Sequence, residues 1–389
     1  MKKHLNTYLL FMYILSMCFY SCTEPFTIET IEQVNALVIE ASITNENKHQ
    51  VVYLSKAFKL TDAEEMPEIG ATVSVTDENQ VHYFFNETTP GTYVSVAKFS
   101  AQLGVNYKLT ITTADGKVYE SKSEKTVSNS TIEDITVVVD DNVEGAEELR
   151  FYINSNDPTG NSKYYRYTYE ETFKIIAPFF TTFDAVVVNN QVAIVQKTDL
   201  NKRVCYKTNI SNTIIQTKTT NLTEDRVQFA VRRIPIDDYK ISNRYSLLVK
   251  QYVQSYEAHT YYNVLNKFSN ASDLLSQSQP GFFSSNIYST TNNNEKVLGF
   301  FEVTSVSEKR VFINYRDYFP VDSSKYIDEC YVIAPSDDIG LLINEGKWIY
   351  YKSNENISDE YPGPYLFVQK GCGDCTEYGT NIKPAFWVD

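Results

Sequence analysis

The chain has 389 residues, more than a single hydrophobic core usually covers, so two domains are expected. Its 35 Lys and Arg against 49 Asp and Glu give a net charge of −14, which excludes a nucleic-acid partner, because phosphate binding needs concentrated basic residues. There are 30 Tyr and 22 Phe but only 2 Trp; because the tyrosines are spread over the whole chain, they point to cross-strand and core packing rather than to sugar-binding platforms.

The N-terminus reads as an export signal. Lys2, Lys3 and His4 precede an apolar run over residues 8–19, and a core of about 12 residues is too short to cross a bilayer of about 30 Å. The run ends in Phe19-Tyr20-Ser21-Cys22, which resembles the bacterial lipobox, with small Ser21 before the cysteine that would carry the lipid. Phe19 stands where leucine is usual, and Cys18 is the poorer candidate because bulky Met17 precedes it. The plainer alternative is an ordinary cleaved signal peptide with an incidental cysteine. Cleavage before Cys22 would leave 368 residues and remove Lys2 and Lys3, making the balance 33 basic to 49 acidic. Residues 22–34 then read as an acidic tether.

Strand signals follow from residue 35. Runs at 37–41, 51–55, 71–75, 81–85, 91–94, 106–111 and 117–121 are short, and Ala71-Thr72-Val73-Ser74-Val75 alternates as a half-buried strand should. Asp115-Gly116 supplies a hairpin turn. Seven such strands predict a β-sandwich of immunoglobulin or prealbumin type over 35–128, with the boundary near 127–133, where Ser, Asn and Thr crowd together.

A larger β-rich domain is expected over 129–389, with strands at 135–139, 164–173, 186–188, 227–231, 245–249, 297–303, 310–315, 348–352 and 365–369. One helix is inserted near 255–268: Ser255 suits an N-cap, and Ala258, Tyr261, Tyr262, Leu265 and Phe268 share one face, with Pro280-Gly281 beyond its end. The whole is mostly β.

Four cysteines remain beyond the signal: Cys205, Cys330, Cys372 and Cys375. An even number in an exported protein favours two disulfides, with three possible connectivities. Cys372-Gly373-Asp374-Cys375 has the spacing of a zinc knuckle but lacks a partner pair, so no metal is expected. His49, His82 and His259 are scattered and show no metal-ligand spacing. Asp140, Asn142 and Glu144 imitate the front of a calcium loop, but Phe151 occupies the place of its closing glutamate, so a solvated acidic turn is favoured. Glu170-Glu171 and Asp237-Asp238 are adjacent acids, which on a strand point to opposite faces and do not form a glycosidase pair. No catalytic motif and no cofactor-binding motif is present, so a non-enzyme is expected.

An ordered series of fragments resembles the bacterial lipoproteins gathered as domain of unknown function 4249. These fragments include Leu37-Val38-Ile39-Glu40-Ala41-Ser42-Ile43-Thr44, Gly70-Ala71-Thr72-Val73, Pro90-Gly91-Thr92-Tyr93 and Tyr119-Glu120-Ser121. Tyr164-Tyr165-Arg166-Tyr167, Tyr245-Ser246-Leu247-Leu248-Val249 and Gly299-Phe300-Phe301-Glu302-Val303 continue it, and Cys372-Gly373-Asp374-Cys375 with Pro384-Ala385-Phe386-Trp387 closes it. Ala41-Ser42 departs from the family's usual Gly-Trp. The resemblance implies a Bacteroidetes-type outer-membrane lipoprotein, often encoded beside a TonB-dependent receptor, and it brings no catalytic residues.

The expectation is therefore a non-catalytic lipoprotein held at the outer membrane through Cys22, at the cell surface rather than the periplasmic face. It would serve a TonB-dependent β-barrel receptor as an accessory or ligand-capture subunit. A glycan-binding module or adhesin, and a structural subunit of an assembly or secretion complex, are the alternatives.

Overall fold

The computed structural model describes residues 36–57, 66–269, 285–320 and 325–389. Cys22, the signal, the tether and Pro280-Gly281 lie outside them. In β1 (Leu37–Thr44) the alternation places Ile39, Ala41 and Ile43 in a core and leaves Val38, Glu40 and Ser42 on the opposite face. Antiparallel neighbours continue through β2 (Val51–Lys56), β3 (Met66–Pro67), β4 (Thr72–Asp77), β5 (His82–Thr89), β6 (Thr92–Ser95), β7 (Asn106–Thr112), β8 (Val118–Ser121) and β9 (Glu124–Lys125). Their inward residues, including Val75, Tyr93, Tyr107 and Ile111, form one hydrophobic core.

The second half begins with β10 (Thr131–Asp141), β11 (Glu147–Asn156), β12 (Tyr164–Ile176), β13 (Phe183–Val188), β14 (Gln191–Gln196), β15 (Val204–Ile210), β16 (Ile215–Lys218), β17 (Arg226–Pro235) and β18 (Arg244–Gln254). Helix α1 (Tyr256–Ser269) follows, then β19 (Ile287–Ser289), β20 (Val297–Asn314) and β21 (Val332–Ile333). Last come α2 (Ile339–Glu345), β22 (Trp348–Ser353), β23 (Tyr365–Gln369) and α3 (Lys370–Gly373). The protein is mostly β, as its composition predicts, with two short helices, α2 and α3, beyond the single predicted one.

The main sheet runs β15-β12-β18-β20-β1-β2-β6-β5-β4-β7-β8-β19. Residues 305–314 of β20 pair antiparallel with β18, whereas residues 297–304 pair parallel with β1. The predicted strands at 297–303 and 310–315 are thus one 18-residue strand. Strands from beyond residue 285 complete the set expected over 35–128, because β19 pairs with β8 and β20 with β1.

The polar middle of β20 holds the segment that links the halves. Ser305 Oγ donates to the Ser128 carbonyl at 2.7 Å, and the Ile132 amide donates to Ser307 Oγ at 2.9 Å. Ser128 Oγ in turn donates to Asp157 at 2.7 Å. Burial opposes ionisation of Asp157, but donors from Thr159, Ser128 and Ser162 hold it well below the usual carboxylate range.

A three-stranded sheet, β10-β11-β17, contributes Leu149, Phe151, Ile153 and Val227 to the second core, beside Tyr165, Tyr167, Phe173 and Tyr245 of the main sheet. The buried tyrosines keep their hydroxyls paired, Tyr165 with Asp225 at 3.0 Å and Tyr245 with Glu171 at 3.0 Å. A third cluster joins the β13-β14 hairpin to α2 and the β21-β23-β22 sheet around Tyr350 and Phe367. Two disulfides, Cys205–Cys375 and Cys330–Cys372, fasten the C-terminal segment. Their bonds consume all four thiols, so the zinc-knuckle alternative falls. Among the described residues no helix is long and apolar enough to cross a membrane.

Gly299 lies where β20 meets β1, with φ +122° and an added Cβ only 1.9 Å from the Ile39 carbonyl oxygen. Gly299→Ala should therefore cost more than about 4 kcal/mol in chemical denaturation, or prevent folding. Gly104→Ala, at φ +78° with open space around it, should cost only about 1–2 kcal/mol. Equal losses at the two sites would show that close approach at the seam is unimportant.

Candidate functional site

Helix α1 starts where Ser255 Oγ accepts from the Ala258 amide at 3.1 Å, as the predicted N-cap requires. Its apolar face buries Ala258 and turns Tyr261, Tyr262 and Leu265 toward the sheet. Tyr261 packs on Phe300 of β20 with ring centroids 5.4 Å apart. The sheet face below α1 carries the outward residues of five strands. They include Arg166 of β12, Tyr252 and Gln254 of β18, Phe300 and Glu302 of β20, Glu40 and Ser42 of β1, and Tyr53 of β2.

Two regions divide this face. Under α1, Arg166 lies 4.2 Å from the Tyr252 ring centroid and 4.7 Å from that of Tyr262, while its Nη2 meets Glu302 at 2.9 Å. Gln254 donates to the other Glu302 oxygen at 2.8 Å, and Gln216 bridges Gln254 to His259 at 2.8 and 3.0 Å. Burial opposes the Arg166 charge, but Glu302 and the flanking tyrosines outweigh it and hold the guanidinium protonated. Burial, then Lys218, pushes the His259 imidazole below its ordinary value.

Toward β2 the same face opens into a groove of about 620 Å³. Val38, Val51, Leu298 and Leu265 give it apolar walls, Tyr53, Tyr261 and Tyr262 contribute rings, and Asn212 and Ile214 approach from the loop between β15 and β16. Ser42 Oγ is buried there and has no hydrogen-bond partner among the described residues. Glu40 stands exposed opposite Tyr53, and among the described residues its carboxylate has no ion pair or hydrogen bond. Burial first and the Glu40 charge second raise the Tyr261 phenol to about 12.

The other residues singled out in the sequence are dispersed. His49 meets the Ser95 carbonyl at 2.7 Å and His82 meets Thr76 at 2.9 Å, both far from His259 in the sheet order. The Asp140–Glu144 stretch spans the end of β10 and the start of the β10-β11 turn. There Asp140 pairs with Arg150, and Asn142 accepts from the amides of Glu144 and Ala146 at 2.9 Å each. Glu171 is buried between Arg232 at 2.8 Å and Lys240 at 3.3 Å, and Asp238 caps a short turn by accepting from the Lys240 amide. The Arg166–Glu302 pair was not predicted. Its signal is a single charge in each of two short aromatic or apolar runs, Tyr164-Tyr165-Arg166-Tyr167 and Gly299-Phe300-Phe301-Glu302-Val303.

The geometry defines a β-rich protein with an aromatic groove at the seam of its two halves. The chain belongs to the family described as Domain of unknown function (DUF4249), whose model matches residues 23–310. No curated protein matches it. Among solved structures, a DUF4785 family protein from Legionella pneumophila is similar at 9% identity and a TM-score of 0.17, with 55% of this chain and 50% of that one covered. The chain thus spans about half the length of that structure.

Breaking the Arg166–Glu302 pair should be costly in either direction. Arg166→Met or Glu302→Gln alone should each lose about 3–5 kcal/mol, because one buried polar partner is stranded. Denaturation of the double variant should show a loss smaller than the sum of the singles; strict additivity would mean the two groups do not interact.

Beside the start of α1, burial pushes the Glu124 carboxyl up to about 7. The Asn286 hydrogen bond works against the shift, Glu257 and Glu302 add repulsion, and Lys122 opposes them. The folded protein therefore holds a proton that the unfolded chain releases near 4.5, and stability should fall as pH rises from about 4.5 to about 7. Glu124→Gln should flatten that segment of a stability-against-pH profile, matching wild type in acid and exceeding it above about pH 7. An unchanged profile would rule out Glu124 as the source.

Proposed function

We propose that this protein is a non-catalytic outer-membrane lipoprotein, anchored through Cys22, that serves as an accessory or ligand-capture subunit of a TonB-dependent transporter. The observation that carries this reading is the groove beneath α1. It is an aromatic and apolar cavity of ligand size with a few polar groups at its floor and mouth. The two disulfides support export, since such bonds persist in oxidising compartments. Membership of a family resembling lipoproteins encoded beside TonB-dependent receptors supports the partner.

The mechanism is tethered capture. The lipid at Cys22 confines the protein to the membrane surface, and confinement raises its effective concentration at the barrel without demanding high affinity. Ligand held in the groove would then be released within reach of the barrel. At the cell surface, protease added to intact cells should cut the folded part.

Gentle detergent extraction followed by affinity purification at native expression should recover a large β-barrel receptor with the lipoprotein. Cys22→Ala should move the protein out of the membrane fraction and abolish its function while its denaturation curve stays unchanged. Recovery of the lipoprotein alone, or full function from the soluble variant, would sink the proposal.

A further inference from the structure

We infer that the groove beneath α1 binds a small amphipathic cation: a molecule with an apolar body and a protonated or quaternary amine at one end. This rests on the ligand-capture reading and supplies its ligand class. The apolar walls, among them Val38, Val51, Leu265 and Leu298, remove hydrocarbon from water, which favours an apolar body regardless of charge. The charged group is then selected by what lines the opening. Among the described residues Glu40 is the one charged side chain lining the groove, and its carboxylate is exposed and unpaired.

Arg166, which lies on the same sheet face, is already engaged. Its charge is matched by Glu302 at 2.9 Å and its faces are covered by Tyr252 and Tyr262. Tyr53 and Tyr261 flank the Glu40 side of the groove, and ring faces attract cations as a carboxylate does. An anionic ligand would instead meet Glu40 at the mouth and a chain of net charge −14 around it. Charge complementarity therefore distinguishes three ligands that share one apolar body and differ only in the terminal group.

Isothermal titration calorimetry of the full-length protein in mild detergent, referenced to a detergent blank, would compare phenylbutylamine, phenylbutanol and phenylbutyrate at neutral pH and low salt. The amine should bind about tenfold tighter than the alcohol, a margin within the range of one carboxylate and its flanking rings, and the carboxylate should bind weakest. Glu40→Gln should erase the amine's advantage and leave the alcohol unchanged. Equal affinity for amine and alcohol would overturn the cation assignment while leaving ligand capture standing. An advantage that survives Glu40→Gln would overturn the role of Glu40. Absence of binding by all three would overturn the groove as their site, and co-purification of a barrel would still judge the accessory role separately.

Discussion

The structure depends on the approach of β20 to β1. A parallel pair between strands some 260 residues apart closes a long loop, and parallel strands need crossover connections rather than a tight turn. The approach is close enough that only a residue without a side chain fits at 299. Because β20 continues from β1 to β18, the same strand contributes Phe301 and Val303 to the first core and Ile313 to the second. Neither half of the sheet is complete without it.

That seam explains where the polar groups are. The face of the seam away from the two cores mixes rings such as Phe300 and Tyr252 with Arg166, Gln254 and Glu302, and α1 covers it with tyrosines. Placing Arg166 and Glu302 under the helix carries a desolvation cost that the ion pair, the Gln254 donor and the two stacked rings offset only in one geometry. A shifted β20 register would move Glu302 out of reach of Arg166. The pair therefore adds a polar match to the register that the apolar alternation of the strands already sets.

Half-buried strands were legible because alternation needs no partner to be seen, and Leu37–Thr44, Thr72–Asp77 and Asn106–Thr112 show it clearly. The helix was legible from its cap and from the shared face of Ala258, Tyr261, Tyr262 and Leu265. β20 reads as two strands because its middle residues, Ser305 to Lys309, are polar apart from Val306. Their hydroxyls serve the backbone at 128–132, and a long-range partner leaves no local pattern. β11 begins with two glutamates that resemble a continued acidic turn, although Leu149, Phe151 and Ile153 alternate inward behind them. Disulfide pairing is equally non-local: adjacent Cys372 and Cys375 bond to cysteines from different parts of the fold. One wall of the groove was therefore visible on the helix, but its floor on β1, β2 and β20 was not.

The order of the chain gives the groove its place in the proposed role. β1 is the first described strand after the tether, and its outward residues Val38, Glu40 and Ser42 form part of the groove floor. An anchor at Cys22 would therefore be followed, among the described strands, first by the one proposed to meet ligand. The same strand pairs with β20, whose other end reaches the second core, so β1 cannot shift without disturbing the sheet on both sides. Closely packed sheets resist gradual deformation. Above this rigid floor, the described residues that could adjust on ligand entry are those of α1 and of the loop that carries Asn212 and Ile214.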